Sequence, residues 1–399
     1  MDGAPLTPSL PLLWMAPLFS GGGYSSEALA FASGLATLLP PRIFAIRQFA
    51  EPQDPEFVQG IPQHLTSQLA PLTDSRSASR AAHIVVCHAT PDAWVPSKFP
   101  GWDSVAPCPP PNARIAIGRT MFETDGLPAD WVQRCNSMDE VWVPTEFHKE
   151  SFAAAGVDPG KLIAIGEPVD TVFFDPALYE PLPLQGDGPA RPFRFLSVFK
   201  WEARKGWEVL LEAFLAEFAA GEAVQLLIKT RPFYSSSNFE KLVDDFAARR
   251  GLPQPGARPV ISLLTSELTL QQLPRLYRAA DAFVLPSRGE GWGRPHVEAM
   301  SMGLPVIATN WSGPTAFLSS STGYPLDYKL VDVAAEMNLA GHRWAEPSLT
   351  HLRQLMRHVF VHREEARARG AAARACMQAD FSPASLAEQV AARLIRLEA

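Results

Sequence analysis

The segment from Pro286 to Thr309, PSRGEGWGRPHVEAMSMGLPVIAT, most constrains the fold of this chain. The largely apolar residues 281–285 before it and 304–308 at its end predict two buried strands. Between them lie a glycine-containing loop and a proline suited to the first position of a helix. This strand, loop, helix, strand order is typical of a parallel α/β sheet that binds phosphate where the helix begins.

Two glutamates in this segment add carboxylates that a plain phosphate loop lacks. Glu290 is expected on the loop at the end of the strand, and Glu298 about one turn inside the helix. Gly291 and Gly293 let the main chain approach a ligand closely, and the N–H groups of residues 293–297 favour an anion. The arrangement suits a sugar joined to a nucleoside diphosphate. For the glutamates alone, a solvated helix start is the alternative.

Length and charge limit the classes of protein. The chain has 399 residues, which predicts two domains of about 180 to 200 residues each. Its content of 47% hydrophobic and 19% charged residues is that of a well-packed globular protein. The formal net charge of −7 gives a nucleic-acid partner no electrostatic support. Apolar runs stay below the length of a membrane span.

The cysteines bear on the cellular compartment. Cys87, Cys108, Cys135 and Cys376 are widely spaced and form neither a metal pattern nor a disulfide framework, which predicts a reducing environment. The apolar start, residues 10–19, lacks the charged region of a signal peptide and is better explained as a buried first strand. A removed targeting segment would leave the same start. The expected location is the cytoplasm or the face of a membrane, and the oligomeric state is open.

Strand-like and helix-like segments alternate along the chain, and the alternation restarts after a linker rich in proline, glycine and aspartate at residues 179–192. This predicts an N-terminal domain over 1–182, a C-terminal domain over 190–380 and a helix over 381–399 that can pack back on the first domain. The predicted strands are 11–16, 43–47, 83–87, 114–118, 140–144, 162–165, 194–199, 223–229, 260–264, 281–285 and 305–308. The predicted helices are 25–39, 128–136, 145–155, 205–219, 239–249, 270–279 and 295–302, with a largely helical tail over 349–399.

A basic junction opens the second domain. Lys200, Arg204 and Lys205 lie between the strand at 194–199 and the following helix. Three cations at such a junction would neutralise a diphosphate together with the helix dipole. Arg231, after the next strand, is expected to reach the same site. A solvated basic turn is the alternative.

The first domain offers weaker signals. The glycines Gly21, Gly22 and Gly23 follow its first strand and would let a phosphate or sugar approach the main chain, although the G-x-G-x-x-G pattern of a dinucleotide site is missing. His88 follows the strand at 83–87, where an imidazole could bond a sugar hydroxyl; a histidine satisfied within the core is the alternative. The side chains that follow the next strand are expected to line the same site or the plain surface: Arg119, Glu123 and Asp125.

These residues resemble a known family. The run from Glu290 to Glu298 with Gly-Trp-Gly, followed by Gly303 to Thr309, resembles the E-x7-E signature of the retaining glycosyltransferases of family 4. Residues 195–206, 22–23 and 167–176 are similar to that family's basic junction, glycine loop and interdomain stretch. The resemblance spans most of the chain and is strongest in the second domain. The run GRTMFETD in the first domain looks closest to plant and green-algal members.

The resemblance implies an α/β protein of the GT-B fold, with two Rossmann-like doubly wound domains facing a cleft and a helical C-terminal tail. Glu298 would hold the ribose of a nucleotide-sugar donor and Glu290 the hydroxyls of its sugar. The other implied contacts are the main chain of Gly291, Trp292 and Gly293 at the sugar, Lys200 and Lys205 at the diphosphate, and His88 near the sugar and acceptor. Three departures concern donor identity: Lys200 where arginine is usual, Ser312-Gly313 where Gly-Gly is usual, and Arg294 where an apolar residue is usual.

The implied reaction is transfer of a hexosyl or pentosyl group, with retention of configuration, to the hydroxyl of a glycan, glycoside or other acceptor by a front-face mechanism. A cofactor is not expected, and without an Asp-x-Asp site in a convincing position a metal is not expected either. Three rivals stay open. They are a hydrolase that pairs Glu290 with Glu298, another GT-B enzyme such as a nucleotide-sugar epimerase, and a non-catalytic protein that binds a nucleotide sugar or glycan.

Overall fold

The computed structural model describes residues 8–73, 83–101, 106–188, 190–232, 238–334 and 339–398. The chain divides into two compact units, the first made of residues 1–170 with 379–399 and the second of residues 171–378. The chain therefore first passes from one unit to the other after Asp170, ahead of the linker predicted at 179–192. The two doubly wound α/β domains predicted from the alternation are confirmed.

Six parallel strands form the sheet of the first unit, in the order β2-β1-β3-β4-β5-β6. Apolar runs such as LLWMA in β1 are buried along their whole length, as expected of a parallel sheet covered on both faces. Because the order reverses between β1 and β3, the loops after these two strands leave the sheet where such folds bind ligands. The strands are β1 Leu12–Ala16, β2 Phe44–Gln48, β3 Ile84–His88, β4 Ile115–Arg119, β5 Glu140–Val143 and β6 Leu162–Ala164.

The helices of this unit include two that the sequence did not predict, α2 and α3. Only Leu69 and Leu72 of α3 are buried, and it contains Pro71, so its apolar periodicity is weak. The helices are α1 Gly23–Leu38, α2 Pro55–Gly60, α3 Gln63–Thr73, α4 Ala129–Asn136 and α5 Glu146–Ala155.

A helix from the far end of the chain, α12 (Pro383–Glu398), completes the first unit. It packs on α1 so closely that a Cβ on Gly34 would lie 2.1 Å from the carbonyl oxygen of Pro383. Leu386, Val390 and Leu394 are buried in the same core cluster as Trp14 and Phe31. The last turn is held by Glu398, which accepts a hydrogen bond from the Ser9 amide at 2.8 Å.

The second unit contains a six-stranded parallel sheet in the order β12-β11-β10-β7-β8-β9. The order reverses between β7 and β10, which pair directly, so the loops after these strands meet at the switch point. A separate antiparallel hairpin is formed by β13 and β14; neither it nor β12 was predicted. The strands are β7 Phe193–Trp201, β8 Val224–Pro232, β9 Val260–Leu264, β10 Ala282–Leu285, β11 Val306–Thr309, β12 Tyr324–Leu326, β13 Tyr328–Asp332 and β14 Arg343–Pro347.

The helices of the second unit follow its strands as the alternation predicted, and the tail is helical. They are α6 Trp207–Glu217, α7 Phe239–Arg249, α8 Gln272–Arg278, α9 Arg294–Ser301, α10 Leu349–Val361 and α11 Arg363–Asp380. Within the ranges that the structure describes, none of the helices has the length and apolar character needed to cross a bilayer.

One sequence-based expectation is wrong. Cys87 and Cys108, which are 21 residues apart, form a disulfide bond, although the spacing of the cysteines suggested no disulfide framework. Cys87 lies in β3, and Cys108 belongs to the same buried core cluster. Cys135 and Cys376 are free thiols. The disulfide removes the basis on which a reducing compartment was expected.

Candidate functional site

Two loops meet at the switch point of the second sheet. One is the turn from Glu202 to Gly206 after β7, and the other is the loop 286–293 after β10. Gly206 has φ 63°, and a Cβ there would lie 2.1 Å from the carbonyl oxygen of Pro286. Only glycine therefore allows the turn to pack on the loop.

This packing brings Lys205 to Glu290. The Lys205 ammonium donates to both carboxylate oxygens of Glu290 at 2.8 Å. Both residues are buried, with 9% and 5% of their surface exposed. Burial alone would raise the pKa of the Glu290 carboxyl, but the charges of Lys205 and Arg204 outweigh it and bring the pKa to about 2. The sequence predicted both residues in one site, though as separate ligand contacts rather than as a pair.

Arg204 holds the same loop from a second side. Its Nη1 donates to the carbonyl oxygen of Gly289 at 2.8 Å and lies 3.3 Å from Oε2 of Glu290. The basic junction predicted at residues 200–205 thus supplies two cations to one carboxylate.

Ser312 explains the departure from Gly-Gly. Its φ is 57°, a backbone conformation that favours glycine. The Ser312 hydroxyl accepts a hydrogen bond from the Glu290 amide at 2.9 Å, and Gly313 donates its amide to the Glu290 carbonyl at 3.0 Å. A Cβ on Gly313 would lie 2.4 Å from the Trp292 carbonyl oxygen. The serine therefore adopts a strained backbone conformation, and its hydroxyl makes a contact that positions Glu290.

The start of α9 differs from expectation in two ways. Gly293 has φ 114°, whereas Gly291 is not among the glycines with positive φ. The amides of His296 and Val297 already donate to the Gly293 carbonyl, at 2.9 and 3.2 Å. The expectation that the amides of residues 293–297 favour an anion is therefore wrong for His296 and Val297, because the first turn closes on itself.

Glu298 lies inside α9, as predicted, and 8% of its surface is exposed. The Tyr277 hydroxyl donates to its Oε2 at 2.8 Å. Burial raises the pKa of the Glu298 carboxyl, and the charge of Arg294 and the Tyr277 hydrogen bond offset only part of that rise. Tyr277 was missed, because one tyrosine in a short helix gives no sequence signal of a buried partner.

The other predicted residues of this unit lie at the edges of the site. Lys200 and Arg231 are register partners near the carboxyl ends of β7 and β8. Burial lowers the pKa of Lys200, and the charge of Arg231 lowers it further. Trp292 is 2% exposed and packs edge-on to Phe317 with ring centroids 5.1 Å apart. The main-chain contact with the sugar that the resemblance implied stays a prediction.

In the first unit, the switch point carries a buried network around Glu27. His88 and Arg119 contact its two carboxylate oxygens, with His88 Nε2 at 3.0 Å and Arg119 Nε at 2.8 Å. The Trp14 indole donates to His88 Nδ1 at 3.1 Å. Since an indole N–H can only donate, Nδ1 accepts, and Nε2 carries the proton given to Glu27. Glu27, His88 and Arg119 are all 0% exposed.

The other residues predicted for this unit lie around that network or beyond it. His88 is the last residue of β3, not the first of a loop, and Arg119 ends β4 rather than following it. Glu123 and Asp125 are half-buried beyond β4. Gly22 precedes α1 with φ −92°, and a Cβ on Gly23 would meet nothing within 4 Å, which leaves the main chain there accessible. Glu27 was given no role, because a glutamate near the start of a helix is common and gives no sequence signal of buried partners.

A family model matches part of the second unit. Residues 192–337 match the family model described as "Glycosyl transferases group 1". The chain is 29% identical over 145 residues to the lipopolysaccharide core biosynthesis mannosyltransferase of Rhizobium meliloti, covering 36% of this chain and 38% of that protein. It is 55% identical over 40 residues to the O-antigen chain mannosyltransferase B of Escherichia coli, which is 10% of each. The matched stretches thus span well under half of these curated relatives.

Solved structures resemble the whole chain. Anabaena HepE, in complex with UDP and glucose, has a TM-score of 0.66 at 14% identity, covering 97% of this chain and 100% of its own. Sucrose-phosphate synthase from Thermosynechococcus elongatus has a TM-score of 0.65 at 17% identity, covering 98% and 99%. A glycosyltransferase from Rickettsia africae is equally similar, with a TM-score of 0.65 at 17% identity over 98% of both chains.

Together these findings support the GT-B fold for the whole chain and a group 1 glycosyltransferase domain over 192–337. The matched segment contains the turn at 202–206, the loop at 286–293 and both glutamates.

Proposed function

We propose that this chain is a retaining, metal-independent glycosyltransferase that transfers a sugar from a nucleoside diphosphate to a hydroxyl acceptor. The observation that carries the proposal is the buried Lys205–Glu290 pair at the switch point of the second sheet, with Glu298 on the adjoining helix. A cation and two carboxylates in that position match the charges and hydroxyls of a nucleotide sugar. The UDP complexes of Anabaena HepE add support for such a donor.

The proposed roles follow from the contacts. Lys205, with Lys200 and Arg231 nearby, would bind the diphosphate, and Glu290 would accept hydrogen bonds from hydroxyls of the transferred sugar. Glu298 would hold the ribose, because its second oxygen is not used by the Tyr277 hydroxyl. Without donor, Lys205 and Glu290 neutralise each other; with donor, each would gain a ligand partner while they stay in contact.

In the proposed reaction, the bond between the sugar anomeric carbon and the diphosphate oxygen breaks as the acceptor oxygen attacks from the same face. The acceptor proton passes to the leaving phosphate oxygen, so a separate protein base is not required. Lys205 would stabilise the negative charge that grows on that phosphate, a contribution of a few kcal/mol per donor. This is why the proposal needs neither a cofactor nor a metal ion.

The first unit is proposed to supply the acceptor side. Gly22 and Gly23 would let a phosphate or sugar approach the main chain, as predicted. For His88 to bond a hydroxyl, as the resemblance implies, the ring would have to release either Trp14 or Glu27. That role stays a prediction. For location, we favour an oxidising compartment over the cytoplasm, because of the Cys87–Cys108 disulfide. Association with the face of a membrane stays a prediction.

The test is transfer from a panel of nucleotide sugars to glycan and glycoside acceptors, with the product anomer read by NMR. We expect a product with the donor's anomeric configuration and an unchanged rate in excess EDTA. Inversion of configuration would overturn the mechanism, and loss of rate restored by a divalent cation would overturn metal independence. Donor consumption without an acceptor would favour the epimerase instead, and binding without turnover the non-catalytic protein.

One observation favours the hydrolase as a second candidate. The pKa of Glu290 is lowered and that of Glu298 is raised, and pairs of carboxyls shifted apart in this way serve as base and acid in hydrolases. Against it, both oxygens of Glu290 are occupied by Lys205, which would block its use as a nucleophile. Cleavage of aryl glycosides in the absence of any nucleotide would support the hydrolase.

A further inference from the structure

Arg288 occupies an unusual position beside the candidate site. It is the second residue after Pro286 in the loop that carries Glu290, yet only 7% of its surface is exposed. Its side chain contacts β14 of the hairpin formed by β13 and β14. No role was predicted for this arginine, and the hairpin was not predicted at all.

Arg288 joins the loop to the turn that carries Lys205. Its amide donates to the Arg204 carbonyl at 2.7 Å, and its Nη1 donates to the Ala203 carbonyl. The same Nη1 lies 2.7 Å from Oε1 of Glu208 in the first turn of α6. These contacts span residues 203–208, the segment in which Lys205 lies.

Arg288 also joins the loop to the hairpin. Its Nε and Nη2 donate to the two oxygens of Glu346 at 2.7 and 3.1 Å. Its guanidinium lies 5.5 Å from the ring centre of Trp344, and its carbonyl accepts from the Ala345 amide at 2.9 Å. Three consecutive residues of β14 therefore hold one arginine, and a fork with two parallel hydrogen bonds fixes direction as well as distance.

We propose that Arg288, held by Glu346, is a positioning residue that sets the geometry of the Lys205–Glu290 pair. The inference rests on the proposed function for its catalytic consequence. Lys205 and Glu290 lie on two separate loops, and a shift of either loop would change how the ammonium meets a diphosphate. Arg288 links both loops to the hairpin, which would otherwise have no part in the site.

Two variants test the link. Glu346→Gln keeps the shape of the side chain but removes its charge, and Arg288→Lys keeps the charge but loses the fork. We expect each to lower kcat/KM for the nucleotide sugar by about tenfold, the effect of one weakened charge-assisted hydrogen bond. Both substitutions break the same link between Arg288 and Glu346. The kcat/KM of the double variant should therefore be no lower than that of the less active single variant.

The control is Asp332→Asn, which removes an exposed carboxylate from the other strand of the same hairpin and should leave kcat/KM unchanged. A second readout separates positioning from folding. Glu346→Gln should weaken binding of the nucleoside diphosphate but not of the corresponding nucleoside, which has no phosphate to meet Lys205. Unchanged kinetics in Glu346→Gln, an equal loss in Asp332→Asn, or equal weakening of nucleoside and diphosphate would each overturn the proposal.

A stability measurement keeps this test apart from that of the proposed function. If the wild-type protein neither transfers sugar nor binds nucleotide, the proposed function fails. A double-mutant cycle on thermal unfolding, with Glu346→Gln and Lys205→Met, then reads the link itself. Coupled shifts in melting temperature support a connection between hairpin and Lys205, whereas additive shifts overturn it.

Discussion

Two buried glutamates, one in each unit, have nearly the same electrostatics. Glu27 is contacted by His88 and Arg119. Glu290 is contacted by Arg204 and Lys205. For each, burial would raise the carboxyl pKa, but nearby Arg119 and His88 in one case, and Lys205 and Arg204 in the other, bring it to about 2. Charge alone would assign them the same role.

Their surroundings differ. The partners of Glu27 come from two strands and have further contacts inside the core, such as Arg119 with the Ile165 carbonyl at 2.6 Å. Glu290 and Lys205 lie on loops at a switch point and keep a small exposed fraction. A depressed carboxyl pKa therefore marks a functional site only where the group can also reach a ligand. We expect Glu27 to serve stability and Glu290 to serve turnover.

The largest effect is expected at Lys205. Lys205→Ala removes the cation proposed to stabilise the leaving diphosphate, and kcat should fall about 10³-fold. Stopped-flow or steady-state transfer assays would measure it. The matched control is Lys241→Ala, an exposed lysine of α7 whose side chain is 68% exposed and pairs with Asp245. Turnover of Lys205→Ala near the wild-type rate would remove Lys205 from the mechanism.

Glu27→Gln should lower the stability of the protein rather than its turnover. Neutralising this carboxylate leaves the buried Arg119 without its charge partner, and the free energy of unfolding should fall by about 4 kcal/mol. Urea denaturation would measure this, and the rate per folded molecule should be near that of wild type. A variant that keeps full stability but loses turnover would contradict the contrast drawn between the two glutamates.

The difference in stability between wild type and Glu27→Gln should depend on pH, with a definite sign. The folded-state pKa of Glu27 is about 2, below the unfolded value of about 4.3. Its stabilisation is therefore present above about pH 4.3 and lost as pH falls toward 2. The gap in stability between wild type and Glu27→Gln should close over that interval.

Reduction of the disulfide should lower the stability of the first unit and leave the second unit unaffected. Opening the Cys87–Cys108 bond, which closes a loop over a separation of 21 residues, should lower stability by about 3 kcal/mol. Thermal unfolding with and without a reductant would show it, with Cys376→Ser as the matched control for thiol chemistry. An equal response in a Cys87→Ser/Cys108→Ser double variant would show that the reductant acts elsewhere.

His88→Gln separates the two roles open to this ring. It should lower stability by about 2 kcal/mol, because the Trp14 and Glu27 contacts are weakened at a fully buried position. We expect the rate per folded molecule to change little. A large loss of rate with an unchanged melting temperature would instead place the imidazole at the substrate, as the family resemblance implies.

The smallest effect is expected at Glu298. Burial raises its pKa, so its contribution to stability is present below the unfolded pKa and lost as pH rises through the folded value. Glu298→Gln should therefore stabilise the donor-free protein at pH 7, and to a smaller extent at pH 4. It should also weaken binding of a ribonucleoside diphosphate more than of its 2′,3′-dideoxy form. Calorimetry on both ligands would measure the difference.

The sequence predicted the parts of the fold that repeat a strong local pattern. Continuous apolar strands such as β1 and β10 and the loop at Glu290 were found within one or two residues of their bounds. The hairpin was missed because its strand β13 is largely exposed and so carries no apolar run. The bonds of Glu290 to Lys205, and of Cys87 to Cys108, depend on elements far apart in the chain, which local spacing cannot reveal.

The discontinuity of the first unit sets an order of events during synthesis. Its helix α1 leaves the ribosome early, but α12, which covers it, follows only after the entire second unit. At typical elongation rates this delay is roughly 17 to 70 s. During that interval the surface of α1 that will receive Leu386, Val390 and Leu394 has no cover from α12, and Gly34 faces solvent in place of Pro383. Nascent chains of this protein would therefore be candidates for chaperone binding until α12 has left the ribosome.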